Sequence, residues 1–104
     1  MKEHKRYIER GDLKGATHLE VSVYYAKGGV NCFSGGTIPR GYYLGVRPVS
    51  KRGGMVSFEL FAGRKQLLFE ISRCTDKQFG RAVKMAAVFE DQLIDAVVAE
   101  NQAA

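Results

Sequence analysis

Three windows of this chain alternate apolar and polar side chains with a period of two residues, and this alternation constrains the fold most. In residues 17–25 the apolar positions are Leu19, Val21, Val23 and Tyr25. In residues 42–49 they are Tyr42, Leu44, Val46 and Pro48, and residues 55–62 alternate in the same way. Because successive side chains of a strand point to opposite sides, each window predicts a half-buried strand.

Glycine-rich segments separate these predicted strands. Gly28 and Gly29 follow the first strand, and residues 50–54 precede the third, as expected where a tight turn needs positive φ. Residues 30–33 predict a short additional strand, and residues 34–41 predict a loop. Pro48 cannot donate a ladder hydrogen bond, so the strand over residues 42–49 is predicted to lie at a sheet edge or to end there.

The pattern becomes helical after residue 63. Residues 64–73 predict a short helix with Leu67, Leu68 and Ile71 on one side. Thr75 and Gln78 have the spacing of a capping box, which predicts a long helix from residue 76 to about residue 100. Its apolar stripe comprises Phe79, Ala82, Val83, Ala86, Phe89, Leu93, Ala96 and Val97. Val88 and Val98 lie off this stripe and predict a second buried face against a partner subunit.

Together these elements predict an α+β fold. It consists of an antiparallel meander of three to four strands, followed by a short helix and a long C-terminal helix packed on one face. A chain of 104 residues is one domain long, and we expect that domain to span residues 17–100. Residues 1–16 predict a charged lead-in, either a short helix over residues 3–10 or a flexible arm, and residues 101–104 predict a frayed tail.

Positive charge is concentrated in the strand-forming region. Residues 26–65 carry seven cations against the single acid Glu59, a net charge of +6, whereas the whole chain carries +5. Such a segment favours polyanionic partners. Because the chain lacks a long apolar run, a signal-peptide pattern and a cysteine framework, we expect a soluble cytoplasmic protein.

Catalytic patterns are sparse. His18 and Glu20 lie two residues apart on the polar face of the first strand, where a general-base pair could form, but two solvated side chains are the commoner arrangement. The other histidine, His4, lies in the lead-in. Neither Cys32 nor Cys74 has a second ligand at metal-ligand spacing. The sequence therefore predicts no enzyme, no metal site and no cofactor.

Tyrosines alternate with cations in the basic segment. Single-stranded nucleic acids are bound by cations that contact phosphates and by aromatic rings that stack on bases. If the strand registers match, Tyr24, Tyr43 and Arg47 line one open sheet face with cationic turns at its rim. For a single tyrosine, packing between strands is the commoner role. The set nevertheless predicts nucleic-acid binding, with single-stranded DNA or RNA favoured, by Tyr24, Lys27, Arg40, Tyr43, Arg47, Lys51 and Arg52.

Two runs, YYAKGGVNCFSGG at residues 24–36 and RGYYLGVRPV at residues 40–49, resemble a recurrent pattern in small uncharacterised proteins of bacterial mobile elements and phages. The resemblance implies a bacterial, intracellular setting in which DNA handling is common. The order of four strands and then a helix is similar to the single-stranded-DNA-binding folds of the PC4, Whirly and PUR types. Those folds use a basic curved sheet and dimerise.

An alternative function belongs to a different class. The chain is then a protein–protein interaction or inhibitor module of a mobile genetic element with no nucleic-acid role. Apolar residues beyond one helical stripe and an open sheet edge also predict a homodimer, formed through helices or through sheet edges. Binding to nucleic acid should weaken steeply with salt, whereas a protein interface should survive moderate salt.

Overall fold

Strands dominate the first two thirds of the described chain, and one helix forms the last third. The computed structural model describes residues 3–30, 37–49, 65–71 and 73–103. Within these residues the elements are β1 (Glu3–Glu9), β2 (His18–Ala26), β3 (Gly29–Val30), β4 (Thr37–Ile38), β5 (Gly41–Val49), β6 (Lys65–Glu70) and α1 (Asp76–Ala103). The predicted α+β fold is confirmed. The predicted strand over residues 55–62 and the turn over residues 50–54 lie outside the described residues.

The four longer strands form one antiparallel sheet in the order β1-β2-β5-β6, and β3 and β4 form a separate two-stranded sheet. The strands predicted from alternation at residues 17–25 and 42–49 are confirmed as β2 and β5, which pair over nine residues. Of the two alternatives predicted from Pro48, the strand end is confirmed, because β5 ends one residue later at Val49. The edge position is wrong, since β5 lies between β2 and β6, although its described pairing with β6 extends only from Gly41 to Gly45.

The N-terminal segment forms strand β1, which pairs with β2 along its full length. The prediction of a short helix or flexible arm is therefore wrong for residues 3–9. Ile8 is the residue of β1 that packs against the core. Because the other side chains of this strand are polar or exposed, its hydrophobic pattern was too weak to predict a strand.

The prediction of a short helix at residues 64–73 is also wrong, because residues 65–70 form β6. A bulge explains the error. Tyr42 lies opposite Phe69 and Tyr43 lies opposite Leu67, so Leu68 is an extra residue that breaks the alternation. Gly41 allows the close pairing there, since a Cβ at this position would come within 2.5 Å of the Phe69 carbonyl oxygen.

Helix α1 begins where the capping box predicts. The Gln78 backbone N–H donates to Thr75 Oγ1 at 3.4 Å, and the Thr75 hydroxyl donates to Gln78 Oε1 at 2.8 Å. The helix packs mainly across β5, and its buried apolar residues are Ala82, Ala86, Leu93, Ile94, Val97 and Val98. Val98 is thus buried in the core of its own chain, so it needs no partner subunit, whereas Val88 is 75% exposed.

Facing the helix, the core comprises side chains of β2 and β5: Leu19, Val21, Val23, Tyr25, Tyr42, Leu44 and Val46. An ion pair between Arg6 of β1 and Glu90 of α1 borders this core. No helix in the described residues is long and apolar enough to cross a membrane.

The end of α1 is fastened to the loop between β1 and β2. Asn101 is 2% exposed, and its Oδ1 accepts the Lys14 backbone N–H at 2.7 Å while its Nδ2 donates to the Lys14 carbonyl at 3.2 Å. Gln102 Nε2 donates to the Asp12 carbonyl at 3.2 Å. The frayed tail predicted from residue 101 onward is therefore wrong for residues 101–103. We call the paired hydrogen bonds of Asn101 and Lys14 the amide clasp.

Replacing Asn101 with alanine should lower the free energy of unfolding by about 1–2 kcal/mol, because both hydrogen bonds of the amide clasp are lost inside a buried site. Urea denaturation followed by circular dichroism measures this change. The control Gln92→Ala removes an exposed amide from the same helix and should change stability by less than about 0.5 kcal/mol. Equal effects of the two substitutions would contradict the role of the clasp.

Candidate nucleic-acid interface

The sheet face turned away from α1 carries the polar side chains of β1, β2 and β5. The two registers align the residues of this face in rows that run across the strands. After a terminal row, Glu9–His18–Val49, the first, second and third rows are Tyr7–Glu20–Arg47, Lys5–Ser22–Gly45 and Glu3–Tyr24–Tyr43. Tyr24, Tyr43 and Arg47 therefore share one face, as the alternation predicts.

Glu20 is the centre of the first row. Its carboxylate is buried, at 4% residue exposure, and its Oε1 lies 2.7 Å from Arg47 Nε. The Tyr7 hydroxyl donates to Glu20 Oε2 at 3.1 Å, and Lys5 Nζ lies 4.0 Å from the same oxygen. The expectation that Glu20 is simply solvated is wrong. The pKa of the Tyr7 hydroxyl is raised, mainly by desolvation and to a smaller extent by its hydrogen bond to Glu20.

Tyr24 and Tyr43 form the third row's aromatic pair. Their rings are stacked, with centroids 6.0 Å apart and planes inclined by 22°. Burial raises the pKa of Tyr24 to about 12, with a smaller contribution from Tyr43. Gly45 packs beside this pair, where a Cβ would meet Ser22 Oγ at 3.3 Å and Tyr24 Cε1 at 3.4 Å.

The two rings differ in exposure. Tyr43 is only 4% exposed, so the expectation that its ring is open to a base is wrong, whereas Tyr24 is half-buried. The Tyr43 hydroxyl donates to the Pro39 carbonyl at 2.8 Å. Burial also raises the pKa of Tyr43. Tyr43 therefore supports Tyr24 on one side and fixes residue 39 on the other.

Two cations lie at the end of the sheet nearest this tyrosine pair. Lys27 directly follows β2 and Arg40 directly precedes β5, where Ala26 pairs with Gly41. Arg40 Nε donates to the Lys27 carbonyl at 3.2 Å, and both residues are exposed. We call Lys27 and Arg40 the cationic rim. The structure thus brings together two residues that are thirteen positions apart in sequence.

Charge is distributed unequally between the rim and the face. On the face, Arg47 and Lys5 both lie beside the Glu20 carboxylate, which offsets part of their charge. Among the described residues no ion pair joins Lys27 or Arg40 to an acid, although Glu70 of β6 lies opposite Gly41, the neighbour of Arg40. The charges of Lys27 and Arg40 are therefore less offset by a neighbouring carboxylate than the charge of Arg47 is. The other predicted cations, Lys51 and Arg52, lie outside the described residues.

Sequence reasoning missed two residues of this face, Lys5 and Tyr7. Tyr7 is 49% exposed, the most exposed of the tyrosines in the described residues. Both residues lie on β1, and only the pairing of β1 with β2 places them beside Glu20. A period-two alternation of Glu3, Lys5, Tyr7 and Glu9 was present in the sequence. The residues between them are also mostly polar, so this alternation did not distinguish a buried face from an exposed one and gave little indication of a strand.

His18 and the Tyr42–Cys74 pair offer further candidate chemistry within the described residues. His18 Nδ1 lies 2.8 Å from Thr17 Oγ1, and the contacts described for the Glu20 carboxylate are to other residues. The buried Tyr42 hydroxyl donates to Cys74 Sγ at 3.0 Å, and burial followed by this hydrogen bond raises the pKa of Tyr42. Within the described ranges, no cluster of three or more histidine, cysteine or acidic residues could hold a metal ion.

No protein-family model, curated protein or solved structure matches this chain.

Removing the carboxylate in Glu20→Ala should lower the free energy of unfolding by about 2–3 kcal/mol, because Arg47 loses its ion-pair partner and Tyr7 loses a charged hydrogen-bond acceptor at a buried position. Chemical denaturation of the purified variant measures the loss. The matched control Asp91→Ala removes an exposed carboxylate from α1 and should change stability by less than about 0.5 kcal/mol. A Glu20→Ala protein as stable as the control would refute the central role of this carboxylate.

The pKa of Tyr24 predicts a specific loss of stability in alkali. Its value is 10.0 when unperturbed and about 12 in the folded protein. Because the pKa of Tyr24 is higher in the folded protein than in the unfolded chain, the unfolded chain loses this proton first as the pH rises. The contribution of the protonated Tyr24 to the free energy of unfolding is therefore complete below pH 10 and is lost as the pH rises towards 12. Between these pH values the free energy of unfolding should fall more steeply for the wild type than for Tyr24→Phe. Parallel curves in denaturation experiments would show that Tyr24 is not the group responsible.

Proposed function

We propose that this protein binds nucleic acid without catalysing a reaction, and that it prefers single strands. The observation that carries the proposal is the contiguity of the Tyr24–Tyr43 pair and the cationic rim. The Tyr43 hydroxyl fixes the Pro39 carbonyl, and the next residue, Arg40, is bonded to the Lys27 carbonyl. An aromatic surface and two phosphate-binding cations are thereby held next to one another.

The parts of this interface have different roles in the proposal. Tyr24 provides a ring for a base, because a stacked base contributes about 1–3 kcal/mol in single-strand binding proteins. Lys27 and Arg40 contact phosphates of the same strand. Tyr43 is buried and positions the other groups. Tyr7, which is more exposed, offers a second ring across the sheet on the same face.

A single strand suits this surface better than a duplex does. Bases in a duplex are stacked on one another, so an aromatic ring on a sheet reaches them only when the strand is unpaired.

The location proposed for this binding is the cytoplasm, since the sequence contains only two widely separated cysteines and so no pattern of a disulfide framework.

Fluorescence anisotropy with a labelled oligothymidine strand and the matching duplex, across a salt series, tests the proposal. We expect tighter binding to the single strand, with an affinity that falls steeply as salt rises. In the double variant Lys27→Ala/Arg40→Ala, the slope of log affinity against log salt should decrease by about 0.7 for each lost phosphate contact. Tyr24→Leu should weaken binding about tenfold without changing that slope.

The control is Arg81→Ala/Lys84→Ala, which removes the same charge from exposed positions of α1. This variant should retain the wild-type slope. An equal loss in both double variants would indicate attraction by net charge alone. No binding at low salt would refute the proposal and favour the protein–protein interaction module.

A further inference from the structure

The outer edge of β1 has backbone groups that β2 does not use. β1 is the first strand of the sheet order, and within the described residues it pairs with β2 alone. The Arg10 N–H donates to the Thr17 carbonyl at 3.0 Å, which identifies Arg10 as a residue whose backbone is directed towards β2. In an antiparallel ladder this direction alternates along the strand. The outward N–H and C=O groups of β1 therefore belong to Glu3, Lys5, Tyr7 and Glu9.

A second copy of the chain is the partner whose fit to this edge can be worked out from the sequence of β1. In a dimer with a two-fold axis, the sequence numbers of any two residues that lie opposite each other add up to the same total. Centring the pairing on Lys5 places Lys5 opposite its own copy. Centring it on Arg6 places Arg6 opposite itself and Glu3 opposite Glu9. Like charges directly opposite each other destabilise an antiparallel pair, so both registers are disfavoured.

Centring the pairing on Tyr7 gives a complementary register. Lys5 of each copy then lies opposite Glu9 of the other copy, Tyr7 lies opposite Tyr7, and Arg6 lies opposite Ile8. Moving the centre to Ile8 loses both Lys–Glu pairs and brings Arg6 opposite Arg10. Because Tyr7 is one of the residues with outward backbone groups, the Tyr7 register also forms hydrogen bonds at its centre.

We propose that this protein forms a homodimer by antiparallel pairing of two β1 strands centred on Tyr7. The partner is a second copy of this chain, and the four-stranded sheets that the two copies have in the described residues join into one continuous sheet. A two-fold axis perpendicular to the sheet keeps both α1 helices on one side and both polar faces on the other. The pairing uses backbone groups of β1 and does not depend on nucleic-acid binding.

Cysteine cross-linking tests the register directly. In a Cys32→Ser/Cys74→Ser background, Tyr7→Cys places two thiols opposite each other at a Cα separation of about 5.5 Å, within the range of a disulfide. Mild oxidation should convert this variant to a covalent dimer. Lys5→Cys is the matched control, because the two copies of residue 5 are offset by four residues along the strand and should not cross-link. Equal cross-linking of the two variants would overturn the register.

Sedimentation equilibrium of the full chain without nucleic acid tests the dimer itself. We expect a reversible dimer, and Tyr7→Pro should raise its dissociation constant about tenfold or more, because each copy loses one outward N–H donor. The proline removes no backbone donor to β2 and loses one side-chain hydrogen bond, from the Tyr7 hydroxyl to Glu20, so circular dichroism should still show the folded sheet. Glu9→Lys should also weaken the dimer by placing Lys5 opposite a lysine. A monomeric wild type at high micromolar concentration, or a dimer that both substitutions leave intact, would overturn the proposal.

Discussion

The nine-residue pairing of β2 with β5 determines what each face of this molecule presents. In the observed register Tyr25 lies opposite Tyr42, and both rings enter the core beneath α1. Their neighbours Tyr24 and Tyr43 also lie opposite each other, on the other face. A shift of either strand by one residue would send a core tyrosine to the polar face and a polar-face residue into the core. The burial of the apolar face under α1 therefore also fixes the polar face, including the position of the cationic rim.

The elements that the sequence predicts well are those whose own residues contain the pattern. β2 and β5 alternate because one side of each is buried, and α1 has both a capping box and an apolar stripe. β6 was predicted as a helix because Leu67 and Leu68 are adjacent in sequence. The bulge accommodates this pair in a strand, but the pair interrupts the period-two alternation from which a strand is predicted. β1 could not be predicted from hydrophobicity, since its pairing partner stabilises it through backbone hydrogen bonds and only Ile8 contacts the core.

The site illustrates the same limit at the level of side chains. Alternation predicts that Tyr24, Tyr43 and Arg47 share a face, and the register bears this out. It cannot predict which of them is exposed, because exposure depends on residues distant in sequence. Glu20 is the clearest case: as a polar residue on a strand it is expected in water, yet Tyr7 and Lys5 from β1 and Arg47 from β5 surround its carboxylate. Contacts over thirteen or more positions decide its environment.

The amide clasp has a consequence for the order in which the chain can be assembled during synthesis. Asn101 follows every strand in the chain, and it closes on Lys14 across 87 positions. While the ribosome is producing the sheet, the turn between β1 and β2 therefore lacks the contact that finally holds it. The N-terminal hairpin can form early but is secured last, when the final turn of α1 leaves the exit tunnel. Before α1 emerges, β1 is attached to the nascent protein through β2 alone among the described elements, and its ion pair from Arg6 to Glu90 can form before the clasp closes.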